Sequence, residues 1–342
     1  MTLDAVAGKT REILKWSAIF LGALFVIFIA LRIFSIIQTA FAPPPPPGVA
    51  FGKLPSPDFP NNTVGISLSY TLDTISGQLP VFSLQEKVFK MTESQPDLLA
   101  LSKAQNMVEG VGFEEPPVKI SENIYQWTDQ EKSRTLTMNI QDINFNMISD
   151  FLSNPDQPFF DQEIQKAVDT ARGFLESIKL LPEDLDLTKT QTGLFSVKNY
   201  SIIPATSLSS TQVLQVNFFQ KPFNNLPIYY PRFSISPLNF LVGQVDGQSQ
   251  VVEANFFYQK PSSESSTYPI KTASQAFEDL KKGKGYITTL INSQSNKISI
   301  NNVSLGYYVS EKKQDFLLPI VVFQGNNFTA YVAAVTDEWI DR

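Results

Sequence analysis

"VNFFQKPFNNLPIYYPRF" (residues 216–233) is echoed further along the chain by "ANFFYQKPSSESSTYPI" (residues 254–270). In both stretches an alternating aromatic run ends at a Lys-Pro pair, a polar loop follows, and extended chain resumes at Pro-Ile. Because proline has no N–H to donate to a sheet ladder, each Lys-Pro ends a strand. The two stretches therefore predict two strand ends in one sheet, rather than a ligand site or a repeat unit.

Further strand-like runs flank these two stretches. Residues 63–72 and 81–91 alternate in polarity around a turn and predict one hairpin. Residues 123–140 predict a second hairpin around the polar turn "TDQEKS". Three more strands are predicted near the C-terminus, at residues 296–310, 316–325 and 328–335.

Three segments between the strands have apolar residues at helical spacing. We expect one helix within residues 97–110 that ends at Gly110, a second over Asp161–Ile178, and a third that begins at a capping box of Thr272 and Gln275. A few helices among many antiparallel strands indicate the α+β class. The prolines of "SNPDQP" (residues 153–158) indicate a boundary between two lobes.

The composition excludes several kinds of active site. The chain of 342 residues contains no His and no Cys, so a Ser-His-Asp triad, a cysteine nucleophile, a thiolate zinc site and a disulfide are all impossible. No cofactor is expected. Residues 1–42 carry a net charge of +2 and the whole chain −6, which leaves −8 on the remainder. An acidic surface would repel the phosphate groups of a nucleic acid, so a nucleic-acid partner is not expected.

An apolar segment near the N-terminus predicts a membrane anchor. Residues 16–37 contain one charge, Arg32, and a helix needs about 20 such residues to cross the hydrocarbon core of a lipid bilayer. Lys9, Arg11 and Lys15 precede the segment, so the positive-inside rule puts the N-terminus in the cytoplasm and the rest of the chain outside the cell membrane. The anchor residues are Trp16, Phe20, Phe25, Phe28, Arg32 and Ile37.

A cleaved signal peptide is the alternative, since Ala40-Phe41-Ala42 has the form of a cleavage site. Two features favour the uncleaved anchor. The apolar run is longer than the 7–15 residues typical of a signal peptide, and Pro43 would follow the scissile bond without a free amide.

The predicted organisation of the whole chain follows from these features. The five prolines of Pro43–Pro47 predict a stiff spacer that lifts the outer region off the membrane. In chain order we expect a cytoplasmic tail (1–15), a transmembrane helix (16–37), a Pro-rich linker (38–62), a first α+β lobe (63–150) and a second α+β lobe (159–337).

The order of signals resembles a known family. "GQLPVFSLQEKVFKM" before a helix that ends in "GVGF", then a strand that ends in "NFFQKPFNNLPI", resembles the extracytoplasmic domains of the YycH/YycI regulators. The closing "VSLGYYVSEKKQDFLLPIVVFQGNNFTAYVAAV" is similar to PepSY-like modules. The resemblance implies a non-catalytic accessory membrane protein that restrains a sensor histidine kinase through its membrane helix and outer domain.

Two groups of residues are candidates for a functional site. Tyr307, Tyr308, Phe316 and Pro319 are interpreted first as strand residues of the core, and as a group they are also the candidate interaction surface, because exposed aromatic residues suit partner contacts. The acidic loop with Glu183, Asp184 and Asp186 would supply the carboxylates of a hydrolase.

The leading hypothesis is a single-pass, non-catalytic envelope protein that binds a protein partner and regulates a membrane sensor kinase. A hydrolase or carbohydrate-active enzyme that works with carboxylates is the alternative from a different class. A purely structural component of the envelope is the third.

Overall fold

A computed structural model describes residue 16 and residues 20–34, 46–61, 68–153, 155, 163–291 and 296–341. The chain divides into two compact units, Met1–Pro46 and Pro47–Arg342. In the first unit, residues 20–34 form helix α1 and their side chains are exposed. Among the described residues, no helix combines the length and hydropathy needed to cross a membrane.

The second unit contains three helices and seventeen strands among the described residues. Its helices are α2 (Ala100–Glu109), α3 (Glu163–Ser177) and α4 (Ala273–Lys281). Its strands are β1 (Ser69–Leu72), β2 (Gln85–Met91), β3 (Val118–Lys119), β4 (Ile124–Asp129), β5 (Arg134–Asn139), β6 (Asn144–Ser149), β7 (Gln191–Lys198), β8 (Ser201–Pro204), β9 (Val213–Asn217), β10 (Ile228–Tyr229), β11 (Leu238–Val245), β12 (Gln248–Phe256), β13 (Pro261–Pro269), β14 (Tyr286–Leu290), β15 (Lys297–Tyr308), β16 (Phe316–Gly325) and β17 (Phe328–Ala333).

One sheet has nine strands in the order β3-β4-β5-β6-β12-β11-β9-β7-β8, all antiparallel. Its main hydrophobic core contains the apolar faces of α2 and α3 together with Trp127 of β4 and Phe240 of β11. The Trp127 indole N–H donates to the Gln105 side chain at 2.7 Å, which satisfies the polar atom of an otherwise fully buried ring.

The other sheet has eight strands, and β16 lies at its centre between β15 and β17. Nearly all of β16 is buried, as expected for an unbroken apolar run in a strand covered on both faces. Val321 and Phe323 face α4 in one core cluster. Ile320 and Val322 face the opposite side, in a cluster with Tyr308 and Tyr331.

The α+β class is confirmed, since the described residues form mostly β-sheet together with four helices. The two strand ends of the opening stretches belong to one sheet, because β9 and β12 both lie in the nine-stranded sheet. Thr272 and Gln275 form the predicted capping box of α4. The predicted hairpin of residues 123–140 is the β4–β5 pair.

Two local predictions differ from the structure. The hairpin predicted from residues 63–72 and 81–91 is absent in the described part, since β1 pairs in parallel with β15 and β2 pairs with β13 and β16. The polar stretch after Lys260, predicted as a loop, is the strand β13. Pairing with β2 supplies its ladder, and burial of Ser266 and Tyr268 on one face overrides its polar composition.

The strands also do not follow the predicted division into lobes at residues 63–150 and 159–337. β6, from the first predicted lobe, pairs directly with β12, from the second. The Phe145 and Phe256 rings stack across this pair with centroids 5.2 Å apart. Each predicted lobe therefore contributes strands and core residues to the same nine-stranded sheet.

We predict that Phe256→Asp loosens the whole nine-stranded sheet. Phe256 is 3% exposed, and loss of a buried Phe side chain typically costs about 3–5 kcal/mol before any penalty for a buried carboxylate. Hydrogen exchange should show lost protection in both residues 124–149 and residues 191–256. Tyr200→Asp is the matched control, because Tyr200 is 73% exposed at the β7–β8 turn of the same sheet. Protection that survives in residues 124–149 would contradict the prediction.

Candidate interaction site

The four residues of the candidate interaction surface lie together on neighbouring strands. Tyr307 pairs with Pro319 across β15 and β16, and Phe316 begins β16. The structure corrects their predicted exposure, because Tyr307 is 0% and Tyr308 1% exposed, and Pro319 is buried. Tyr307, Tyr308 and Pro319 are therefore core strand residues, whereas Phe316 is half-buried.

The two tyrosines point to opposite faces of the eight-stranded sheet. The Tyr307 ring contacts Phe89 and its hydroxyl donates to the Lys87 carbonyl at 3.0 Å. The Tyr308 ring lies in an edge contact with Phe59, with centroids 4.8 Å apart. Burial raises the pKa of both phenols above the ordinary tyrosine value, so both stay neutral at physiological pH and act as hydrogen-bond donors.

Phe59 belongs to residues 47–61, which we call the strap. The strap was predicted as part of the Pro-rich linker (38–62), and the structure corrects this for the described residues: the strap belongs to the second unit. Its inward side chains alternate with exposed ones, and Leu54 is fully buried. The inward-facing, at least half-buried residues are Val49, Phe51, Leu54, Pro57 and Phe59.

The strap covers the face of the eight-stranded sheet opposite α4. Phe51 packs on Phe316, with ring centroids 5.3 Å apart. Leu54 shares a core cluster with Leu318 of β16, and Phe59 contacts the cluster that contains Tyr308. The surface under the strap is called the seat, and it consists of Ser266, Thr267, Tyr268, Tyr308, Phe316, Leu318, Ile320, Trp339, Ile340 and Asp341.

Polar contacts fix the register of the strap. The Leu54 N–H donates to the Trp339 carbonyl and the Asp341 N–H donates to the Leu54 carbonyl, both at 2.8 Å. At the far end, the Asp58 carboxylate accepts from the Ser310 hydroxyl at 3.3 Å and lies 3.2 Å from the Lys312 ammonium. The strap is thus bonded at its middle and near its C-terminal end to residues that come much later in the chain.

The acidic loop that would serve a hydrolase holds structure in place. One Asp184 carboxylate oxygen accepts from the Tyr258 hydroxyl at 2.8 Å and the other from the Gln220 amide at 3.0 Å. Asp186 caps a short 3-10 turn through the backbone N–H and the hydroxyl of Thr188, and these hydrogen bonds lower the pKa of its carboxyl. Among the described residues, no group of three His, Cys, Asp or Glu side chains could hold a metal ion.

A cavity of about 540 Å³ lies beside α2, at the turn between β5 and β6. Its lining combines apolar side chains such as Met107 and Ile140, the carboxamide of Gln141 and the charged groups of Asp97 and Lys103. No sequence motif predicts this cavity. The residues come from separate segments, so no local pattern indicates the cavity.

Those predicted anchor residues that the structure describes lie in the first unit. Trp16, Phe20, Phe25 and Phe28 are between 56% and 71% exposed. The Arg32 guanidinium lies 5.4 Å from the centre of the Phe28 ring. Ile37 lies outside the described residues.

We predict that Leu54→Ala destabilises the second unit while Lys53→Ala does not. Leu54 is 0% exposed, and truncation of a buried Leu typically costs about 2–5 kcal/mol. Lys53 is exposed, so its truncation should change the free energy of unfolding by less than about 0.5 kcal/mol. Urea denaturation followed by tryptophan fluorescence measures both. Equal stabilities of the two variants would mean that the strap behaves as a linker.

No protein-family model matches the chain, and no curated protein matches it. Among solved structures, the chain is similar to the crystal structure of an uncharacterized protein from Eubacterium rectale. The similarity covers 80% of this chain and 90% of that chain, with 13% sequence identity and a TM-score of 0.42.

Proposed function

We propose that the chain is a single-pass membrane protein whose outer unit binds a protein partner without catalysing a reaction. Residues 16–37 anchor it in the lipid bilayer with the N-terminus in the cytoplasm, and the second unit lies outside the cell membrane. Regulation of a membrane sensor kinase is the role that the YycH/YycI resemblance suggests for such a protein.

The exposed apolar helix α1 is the observation that supports this proposal most. Leu21, Phe25 and Leu31 are each more than 60% exposed, although apolar side chains in water-soluble units are normally buried. A lipid bilayer is the environment in which an apolar helix with exposed side chains is stable. The basic residues before the helix favour a cytoplasmic N-terminus.

The hydrolase alternative gains less support from the structure. The carboxylates of Asp184 and Asp186 are occupied by hydrogen bonds that hold their own loop. A binding role needs no such groups, and the second unit offers two surfaces for it, the seat and the cavity beside α2.

Single-cysteine labelling tests the topology directly, because the natural chain has no Cys. Thr2→Cys reports on the N-terminal side of the helix and Ser121→Cys on the exposed surface of the second unit. A membrane-impermeant maleimide applied to cells stripped of outer layers should label only Ser121→Cys, and both variants after lysis. Labelling of Thr2→Cys alone in intact cells, or recovery of the protein in the soluble fraction, would contradict the proposal.

A further inference from the structure

The seat recognises the main chain of the strap through hydroxyl groups. The Ala50 N–H donates to the Ser266 hydroxyl at 2.8 Å. The Tyr268 hydroxyl accepts from the Phe51 N–H and donates to the Gly52 carbonyl, both at 3.0 Å. Contacts to backbone groups do not depend on the side chains of the bound segment, so they suit any extended polypeptide with the same register.

Side-chain contacts add specificity for a short pattern. Phe51, Leu54 and Phe59 are the large apolar side chains that the seat receives. Leu54 and Phe59 each precede a proline, which restricts their backbones to extended conformations and reduces the entropy lost on binding. Recognition of an extended, proline-containing segment by an aromatic surface is a recurrent mode of peptide binding.

The strap makes few ladder bonds of the kind that join the strands. Its described backbone-to-backbone bonds to the seat are one from Val49 to Thr267 and two between Leu54 and the C-terminal residues. Its other described backbone bonds to the seat involve side-chain hydroxyl groups. Pro55, Pro57 and Pro60 cannot donate further bonds. The ion pair of Asp58 with Lys312 joins exposed side chains, and such pairs contribute little.

Loss of the strap would leave an apolar surface in water. Leu318, Ile320 and Tyr308 would be uncovered on one face of the central strands. Soluble units rarely expose such a patch without a partner that covers it. Release of the strap is therefore favourable only when another segment of similar chemistry takes its place.

We propose that the seat is a binding site for an extended segment of a partner protein and that the strap is its intramolecular occupant. The partner segment would carry an aromatic residue, then a Leu-Pro pair, then an acidic residue next to a second aromatic residue. Binding would replace the strap on the seat with the partner segment. It would thereby change how the N-terminal part of the chain is attached. The inference deepens the proposed function and rests on its partner-binding role.

A synthetic peptide of residues 47–61 with a fluorescent label tests the exchange on the full-length protein in detergent micelles. In the natural protein the strap competes at a high effective concentration, so peptide binding should be weak. Leu54→Ala in the protein weakens this competitor, and the peptide should bind about tenfold or more tightly than to the natural protein. Fluorescence anisotropy measures both affinities. Lys53→Ala in the protein is the matched control and should bind the peptide as the natural protein does.

Variants of the peptide separate specific exchange from unspecific adsorption. A peptide with Leu54→Ala should lose most of its affinity, whereas one with Ser56→Ala should keep it, because Ser56 is exposed. A folded Leu54→Ala protein that binds no peptide, or binds the Leu54→Ala peptide equally well, overturns the proposal. If Leu54→Ala prevents folding, Phe59→Ala at a half-buried position provides the same comparison.

Light scattering distinguishes a partner protein from a second copy of the chain. We expect the Leu54→Ala protein to show no dimer that depends on concentration. A dimer that dissociates when the peptide is added would overturn the assignment of the seat to a different protein. The seat would then bind a second copy of this chain. The cysteine-labelling result does not depend on the seat, so this proposal and the proposed topology can fail separately.

Discussion

Three residue pairs between β6 and β12, centred on Asn146 and Asn255, join strands that lie far apart in the chain. Without this contact the group β3–β6 and the group β7, β8, β9, β11 and β12 would each present an open edge. Helix α3 would also lose part of the surface on which it packs. The stacked Phe145 and Phe256 rings lie at one end of this pairing. The nine-stranded sheet therefore forms only when both parts of the chain are present. Separation of the two parts would lower the stability of the sheet.

The eight-stranded sheet is subject to a different constraint, since β16 is apolar on both faces. α4 covers one face, and no helix of the described residues covers the other, where the strap lies against Leu318 and the Tyr308 cluster. The strap is also the part of the second unit that comes first after the N-terminal segment. The strap is thus a component of the core of the second unit. In the proposed exchange, binding at the seat would act on the segment that follows the proposed anchor in the chain.

Local patterns in the sequence predicted the features that depend on neighbouring residues. The capping box of Thr272 and Gln275, the β4–β5 hairpin and the α+β class follow from short-range spacing and turn chemistry. Pairing between distant strands, such as β1 with β15, has no local signature. The strap was interpreted as linker because its prolines dominate the composition, yet Phe51, Leu54 and Phe59 already carried the signal of a buried face. Tyr307 and Tyr308 were interpreted first as core strand residues and both are buried. The strap as the cover of Tyr308 could not be predicted, because the two segments lie far apart in the chain.

Native-state hydrogen exchange of the full-length protein tests the central claim, that the strap is docked but separately releasable. The Leu54 amide donates to the Trp339 carbonyl at 2.8 Å, and the amides of the central strand β16 serve as the reference for global unfolding. We expect the Leu54 amide to be protected and to exchange through an opening with a lower free energy than that of β16. Exchange of Leu54 at the rate of an unprotected amide, or only together with β16, would contradict this claim.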